Sequence, residues 1–139
     1  MVYVPQRILF AEDDLLCDAA IPYGFERLFT IVRTGTEALQ RLLDSTSTFD
    51  AFRLDNKMPE KTGLQVLAEL RTLHADVLDK LKWILFKSSD VDDAMRSELH
   101  AIRTAHPHIE AHAVSDTCEG SLWEALIEEE RDPSAFYDD

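Results

Sequence analysis

Short apolar runs alternate along the chain with longer stretches whose apolar residues recur at helical spacing. Arg7-Ile-Leu-Phe-Ala11 predicts a buried strand, ended by the acidic triplet Glu12-Asp13-Asp14. From Asp14 to about Leu28, the spacing of Leu15, Leu16, Ala19 and Ala20 predicts a helix, which Pro22 and Gly24 must kink or shorten. Phe29–Arg33 reads as a second strand, and Thr34-Gly35-Thr36 turns the chain into a helix over Thr36–Leu43. A loop at Ser45–Thr48 leads to a third strand, Asp50–Asp55. In the segment Asn56–Gly63, Pro59 forbids helix and Gly63 permits an unusual backbone angle. A helix over Leu64–Leu73 follows, with Leu64, Leu67, Ala68 and Leu70 on one stripe. Trp83–Lys87 is the fourth strand, and Ser88-Ser89-Asp90 offers caps for a helix over Val91–Thr104. After Ala105–His108, Ile109–Val114 predicts a short fifth strand and Glu119–Glu130 a last helix, with 131–139 an acidic tail or linker.

Five strands alternating with five helices imply an α/β fold, a doubly wound five-stranded parallel sheet with helices on both faces. At 139 residues and 45% hydrophobic, the chain suits one soluble domain. No apolar run approaches the length of a membrane span, and the first residues lack the layout of a secretory signal. Two cysteines without a CxxC spacing point to a reducing, cytoplasmic setting. A net charge of −13 repels phosphate backbones and anionic lipid, which argues against nucleic acid and membrane as direct partners.

In doubly wound folds a site forms at the carboxyl ends of the strands. Glu12 and Asp13 follow the first strand and Asp55 closes the third, so the three converge if those strands are neighbours. Carboxylates gathered in this way repel one another, and a hard divalent cation such as Mg2+ is the natural compensation. Asp55 is then a candidate nucleophile toward phosphorus, with Ser88 placed to donate a hydroxyl to a phosphoryl oxygen. Glu12-Asp13-Asp14 can also be read as helix capping, and Ser88 as a cap.

Over nearly its whole length the chain resembles the receiver domain of two-component response regulators. The residues that carry the likeness are Ile8-Leu-Phe-Ala-Glu-Asp-Asp14, Gly35-Thr-Glu-Ala-Leu39, Leu54-Asp-Asn-Lys-Met-Pro-Glu-Lys-Thr-Gly63 and Ile84-Leu-Phe-Lys-Ser88. The resemblance implies strand order 2-1-3-4-5, a receiver over residues 1–130, and Asp55 as phosphoacceptor from a histidine kinase or phosphotransfer protein. It further implies Mg2+ held by Glu12, Asp13, Asp55 and the main-chain carbonyl of Lys57, with Ser88 sensing the phosphoryl group. Output would pass to a protein partner through about residues 89–114, and a second copy of the chain is a further candidate partner.

The departures are as informative. Receivers carry a lysine at the end of the fifth strand, where this chain has Ser115 followed by Asp116, and His112 stands in place of a switch aromatic. Lys57, two residues past Asp55, is the candidate to supply the missing charge, with a solvated loop lysine as the plainer reading. Lys87 and Arg53 are cations where such domains usually place apolar groups. Arg53 falls on the side of its strand that Asp55 occupies, and must find carboxylates or reach solvent. The loss of the lysine also supports an alternative, a pseudo-receiver scaffold acting without phosphorylation. A metal-dependent phosphohydrolase is a third reading, but it would want an acid where Lys57 stands. His100, His106, His108 and His112 invite a zinc site, though a helix end, a proline loop and a strand separate them. Cys17 and Cys118, each expected to start a helix at the same end of the fold, read as reduced packing residues.

Overall fold

A computed structural model describes residues 7–21, 23–46, 48–88 and 90–114. Five strands, β1 (Ile8–Ala11), β2 (Phe29–Val32), β3 (Ala51–Asp55), β4 (Trp83–Lys87) and β5 (Glu110–Val114), form one sheet in the order β2-β1-β3-β4-β5. Every pairing is parallel. The helices are α1 (Gly35–Leu43), α2 (Gly63–Leu73), the short α3 (Ala75–Leu78) and α4 (Asp93–Ala105). No helix among the described residues is long and apolar enough to cross a membrane.

Register divides the sheet into two faces, because side chains alternate along each strand. On one face lie the rows Leu9-Phe52-Ile84-Ala111 and Ala11-Leu54-Phe86-Ala113. These rows share a continuous core with Ala38, Leu39 and Leu42 of α1, Val66, Leu67 and Leu70 of α2, and Met95, Leu99 and Ile102 of α4. On the other face lie Ile8-Ala51-Trp83, then Phe10-Arg53-Leu85-His112, then Asp55-Lys87-Val114. A smaller cluster of Ile8, Ala51, Trp83, Leu85 and Val114 covers part of it, with Leu28 and Phe29 packed alongside. Both faces are buried, which is why these strands read as near-continuous apolar runs.

The helix expected from Asp14 to Leu28 is replaced by two 3-10 helices, Leu15–Ala20 and Glu26–Leu28. The break falls at Gly24, whose φ of +91° no helix accommodates. The caps also correct the sequence reading. Asp92, rather than the Ser88–Asp90 segment, caps α4 by accepting from the Met95 amide at 2.9 Å. Thr62 and Gln65 form a reciprocal capping box at the start of α2, so that helix begins at Gly63. α3 was not foreseen, being too short to show a period. The expected helix over 119–130, the tail and the 130/131 boundary lie outside the described residues.

Candidate functional site

The candidate site is built at the carboxyl ends of β1, β3 and β4. Glu12 and Asp13 leave β1 while the Glu12 amide still donates to the Val32 carbonyl at 3.0 Å, which holds the acidic turn against β2. Asp55 ends β3, and its register partner on β4 is Lys87. An open cavity of about 570 Å³ is lined by Glu12, Asp13, Asp14, Cys17, Asp55, Asn56, Lys57, Lys87 and Ser88. Glu12, Asp13 and Asp55 each place a carboxylate oxygen within 4.8 Å of the others, the one such group among the described residues. His106 and His108 both turn to Asp79 instead, and no zinc-type cluster forms among the described residues.

Glu12 is fully buried between two cations. Its Oε1 lies 3.0 Å from Arg53 Nη2 and 3.1 Å from Lys87 Nζ, while Oε2 accepts from the Asp14 amide at 3.2 Å. Burial alone would raise its carboxyl, but Arg53 foremost, with the Asp14 amide and Lys87, holds it down to about 2. Arg53 resolves the problem its sequence position posed. It stays fully buried, donates from Nη1 to the Ala11 carbonyl at 3.1 Å, and lies 4.2 Å over the Phe10 ring. Lys87 is also buried, with Nζ 3.1 Å from Cys17 Sγ. Desolvation works against its charge, yet the Cys17 and Glu12 contacts outweigh it and hold the ammonium above the ordinary lysine range. Burial in turn pushes the Cys17 thiol up.

Asp55 is half-buried, and Oδ1 accepts from the Asn56 amide at 2.8 Å. Burial first, then the Glu12 charge, push its carboxyl up to about 6 against the pull of Lys87 and Arg53. The loop that follows is keyed to its surroundings by two glycines. A Cβ on Gly63 would sit 2.4 Å from the Asp55 carbonyl oxygen, so this glycine is needed for close approach. The unusual backbone angle expected at Gly63 falls instead on Glu60, at φ 72°. Gly35 closes the far side: its amide donates to the Pro59 carbonyl, and a Cβ there would meet the Lys61 carbonyl oxygen at 2.1 Å.

The remaining expected residues sit as follows. Lys57 is exposed at the cavity rim. Ser88 lines the cavity but pairs its hydroxyl with Asp90, donating to the carbonyl at 2.9 Å and accepting from the amide at 3.2 Å. His112 is buried in the row of Arg53, 2.9 Å from Glu110 Oε2 and against Trp83. Ser115 and Cys118 lie outside the described residues. In the sequence Lys87 and Arg53 stand out as unusual cations, Arg53 needing carboxylates or solvent, but Glu12 was not named as their shared partner. Strand parity already put Arg53 on the face of Asp55, whereas Lys87 needed the β3–β4 register to place it there. Arg33, which donates to the Glu12 carbonyl at 3.1 Å, gave no such signal.

This architecture, with its acidic cluster at the β1 and β3 ends, has the fold of response-regulator receiver domains. The receiver domain of Francisella response regulator 1452 is 20% identical, covering 86% of this chain and 91% of that one at a TM-score of 0.61. A CheY-like receiver domain protein from Methanospirillum hungatei is 18% identical over 88% and 91% of the two chains, at 0.63. The phosphorylated cyanobacterial phytochrome response regulator RcpA is 17% identical over 88% and 90%, at 0.59. No protein-family model and no curated protein sequence matches the chain.

Proposed function

We propose that this chain is a cytoplasmic phosphoacceptor receiver, with Asp55 taking a phosphoryl group from a histidine kinase or phosphotransfer protein. A single observation carries the reading: the Asp55 carboxylate opens into a solvent-reached cavity within 4.8 Å of two further carboxylates, on a receiver fold. In the step, an Asp55 oxygen forms a bond to phosphorus as the P–N bond to the donor histidine breaks, and the imidazole leaves with the bonding pair. The donor set suits a hard cation, being all oxygen, and burial followed by the Glu12 charge raises the Asp55 carboxyl, a cost that a bound cation would offset. Asp13, Asp55 and the Lys57 main-chain carbonyl would hold Mg2+, with Glu12 beside them. Bound there, Mg2+ would neutralise charge on the transferring phosphoryl group. Glu12 keeps the site ordered through its ion pairs with Arg53 and Lys87.

Signal output through residues 89–114 to a protein partner fits the exposed, charged side of α4, where Asp93, Arg96 and His100 face solvent. One observation favours the second reading, a pseudo-receiver scaffold. Two internal cations already compensate Glu12, so the pocket is partly neutralised without an ion. Incubation with acetyl phosphate and Mg2+, read by intact mass, separates the two. A phosphoryl adduct lost in Asp55→Asn supports the receiver, and a folded protein that stays unmodified supports the scaffold.

A further inference from the structure

A phosphoryl group on Asp55 brings close to two negative charges into a cavity already lined by Glu12, Asp13 and Asp14. Beside Mg2+, a cation from the chain itself can meet it, and the geometry limits which one. Arg53 lies two residues deeper along β3, fully buried and stacked on Phe10, with its guanidinium held by Glu12 and the Ala11 carbonyl. Lys57 stands exposed at the rim, where water screens its charge. Lys61 is drawn off to Glu69 at 2.8 Å. Lys87 alone among the lining cations is buried, cavity-facing and in register with Asp55. Register partners on adjacent parallel strands leave the sheet on the same face about 5 Å apart, well within reach of a lysine stem.

We propose that Lys87 is the cation that ion-pairs the phosphoryl group on Asp55, swinging its ammonium from Glu12 to a phosphoryl oxygen. This role rests on the phosphoacceptor reading above. The exchange is feasible because Glu12 has two counter-ions. When Lys87 leaves, Arg53 remains 3.0 Å from the same oxygen, so no buried carboxylate is stranded. Arg53 is in this sense a positioning residue: it releases Lys87 for the ligand. A lysine suits the task better than a second arginine would, being a point charge on a flexible stem with three rotatable donors.

The test measures beryllofluoride binding, with Mg2+ present, to the wild-type chain, Lys87→Gln, Lys87→Arg and the distant control Lys80→Gln. Lys87→Gln should lose about tenfold to a hundredfold in affinity, the range of one charge-assisted hydrogen bond. Lys87→Arg should recover much of that loss, and Lys80→Gln should match wild type. Acetyl-phosphate labelling should fall in the same order. A second measurement needs no substitution at the site to fold. In wild-type protein labelled with 15N-lysine, the Lys87 ammonium resonance should move on adding beryllofluoride, more than that of any other lysine. Equal affinity in wild type and Lys87→Gln, or an unmoved Lys87 resonance while beryllofluoride binds, overturns the Lys87 role and leaves Asp55 standing. A wild-type chain that neither binds beryllofluoride nor takes a phosphoryl group overturns both.

Discussion

The two faces of the sheet are specified in different ways. From β1 to β5 the face under α1, α2 and α4 is apolar, in the rows Leu9-Phe52-Ile84-Ala111 and Ala11-Leu54-Phe86-Ala113, with Thr30 beside Leu9 at the β2 edge. The opposite face begins with Ile8, Ala51 and Trp83, turns to Phe10, Arg53, Leu85 and His112, and ends with Asp55 and Lys87 at the cavity. Along β3 and β4, polarity therefore rises toward the carboxyl ends on this side only, while β5 runs from Glu110 to Val114. The first face holds by shape and dispersion, and tolerates rearrangement of similar volumes. The second holds by a charge cluster in which Glu12 shares one oxygen between Arg53 and Lys87, with Arg53 the stronger partner.

That contrast can be broken from either side. The largest effect expected on the polar face is from Arg53→Met, which strips the Glu12 carboxylate of its main counter-ion in a fully buried setting. Urea denaturation should show a loss of about 3 kcal/mol, the low end for breaking a buried pair by removing one partner, because Lys87 stays 3.1 Å from the same oxygen. Arg53→Met combined with Glu12→Gln should recover a substantial part of that loss, and a double variant as unstable as the single one would refute the charge account. On the apolar face, Leu67→Ala should cost about 2–5 kcal/mol through the cavity it leaves. Beryllofluoride affinity of the molecules that remain folded should be unchanged there, whereas any substitution of Arg53 should alter it.

Gly63→Ala tests the seam between the two systems. The added methyl would press on the Asp55 carbonyl oxygen, so the end of β3 or the start of α2 must shift. A loss of about 1–3 kcal/mol is expected, the range for overpacking, together with a changed Asp55 environment seen by carboxyl 13C NMR. The smallest effect lies at Asp79, far from the cavity. Its exposed carboxyl is held below the ordinary aspartate value by the His106 contact at 2.9 Å. A carboxyl lowered in the folded state adds stability above its unfolded pKa, and that stability is lost as pH falls below about 4. Asp79→Asn should therefore show a slightly shallower fall in stability between pH 5 and 3 (both values being about one unit either side of the ordinary aspartate pKa).

Most of the apolar face was legible in the sequence. β1, β3 and β4 are near-continuous apolar runs, and the stripe of Leu67 and Leu70 names the buried side of α2. The acidic residues were legible too, because the ends of strands in such a fold are where a site must form. Less readable was anything set by a residue's neighbours in space. The interruption of the Asp14–Leu28 segment near Gly24 was legible, but not that the pieces on either side would be 3-10 helices. Gly63 was credited with backbone freedom, when its role is to let α2 approach the Asp55 carbonyl. Lys87 looked like a stray charge at the end of a strand until its register with Asp55 placed it beside Glu12.

The tight meeting of Gly35 with the Lys61 carbonyl has a mechanical consequence. It bolts the segment after β3 to the first turn of α1, with main chain against main chain and no side chain to give way. Across the cavity, the turn after β4 is tied by the Ser88 hydroxyl to Asp90, two hydrogen bonds in an exposed stretch. The two sides of the mouth are thus held differently, main chain on main chain at α1 and a side-chain hydroxyl at the end of β4.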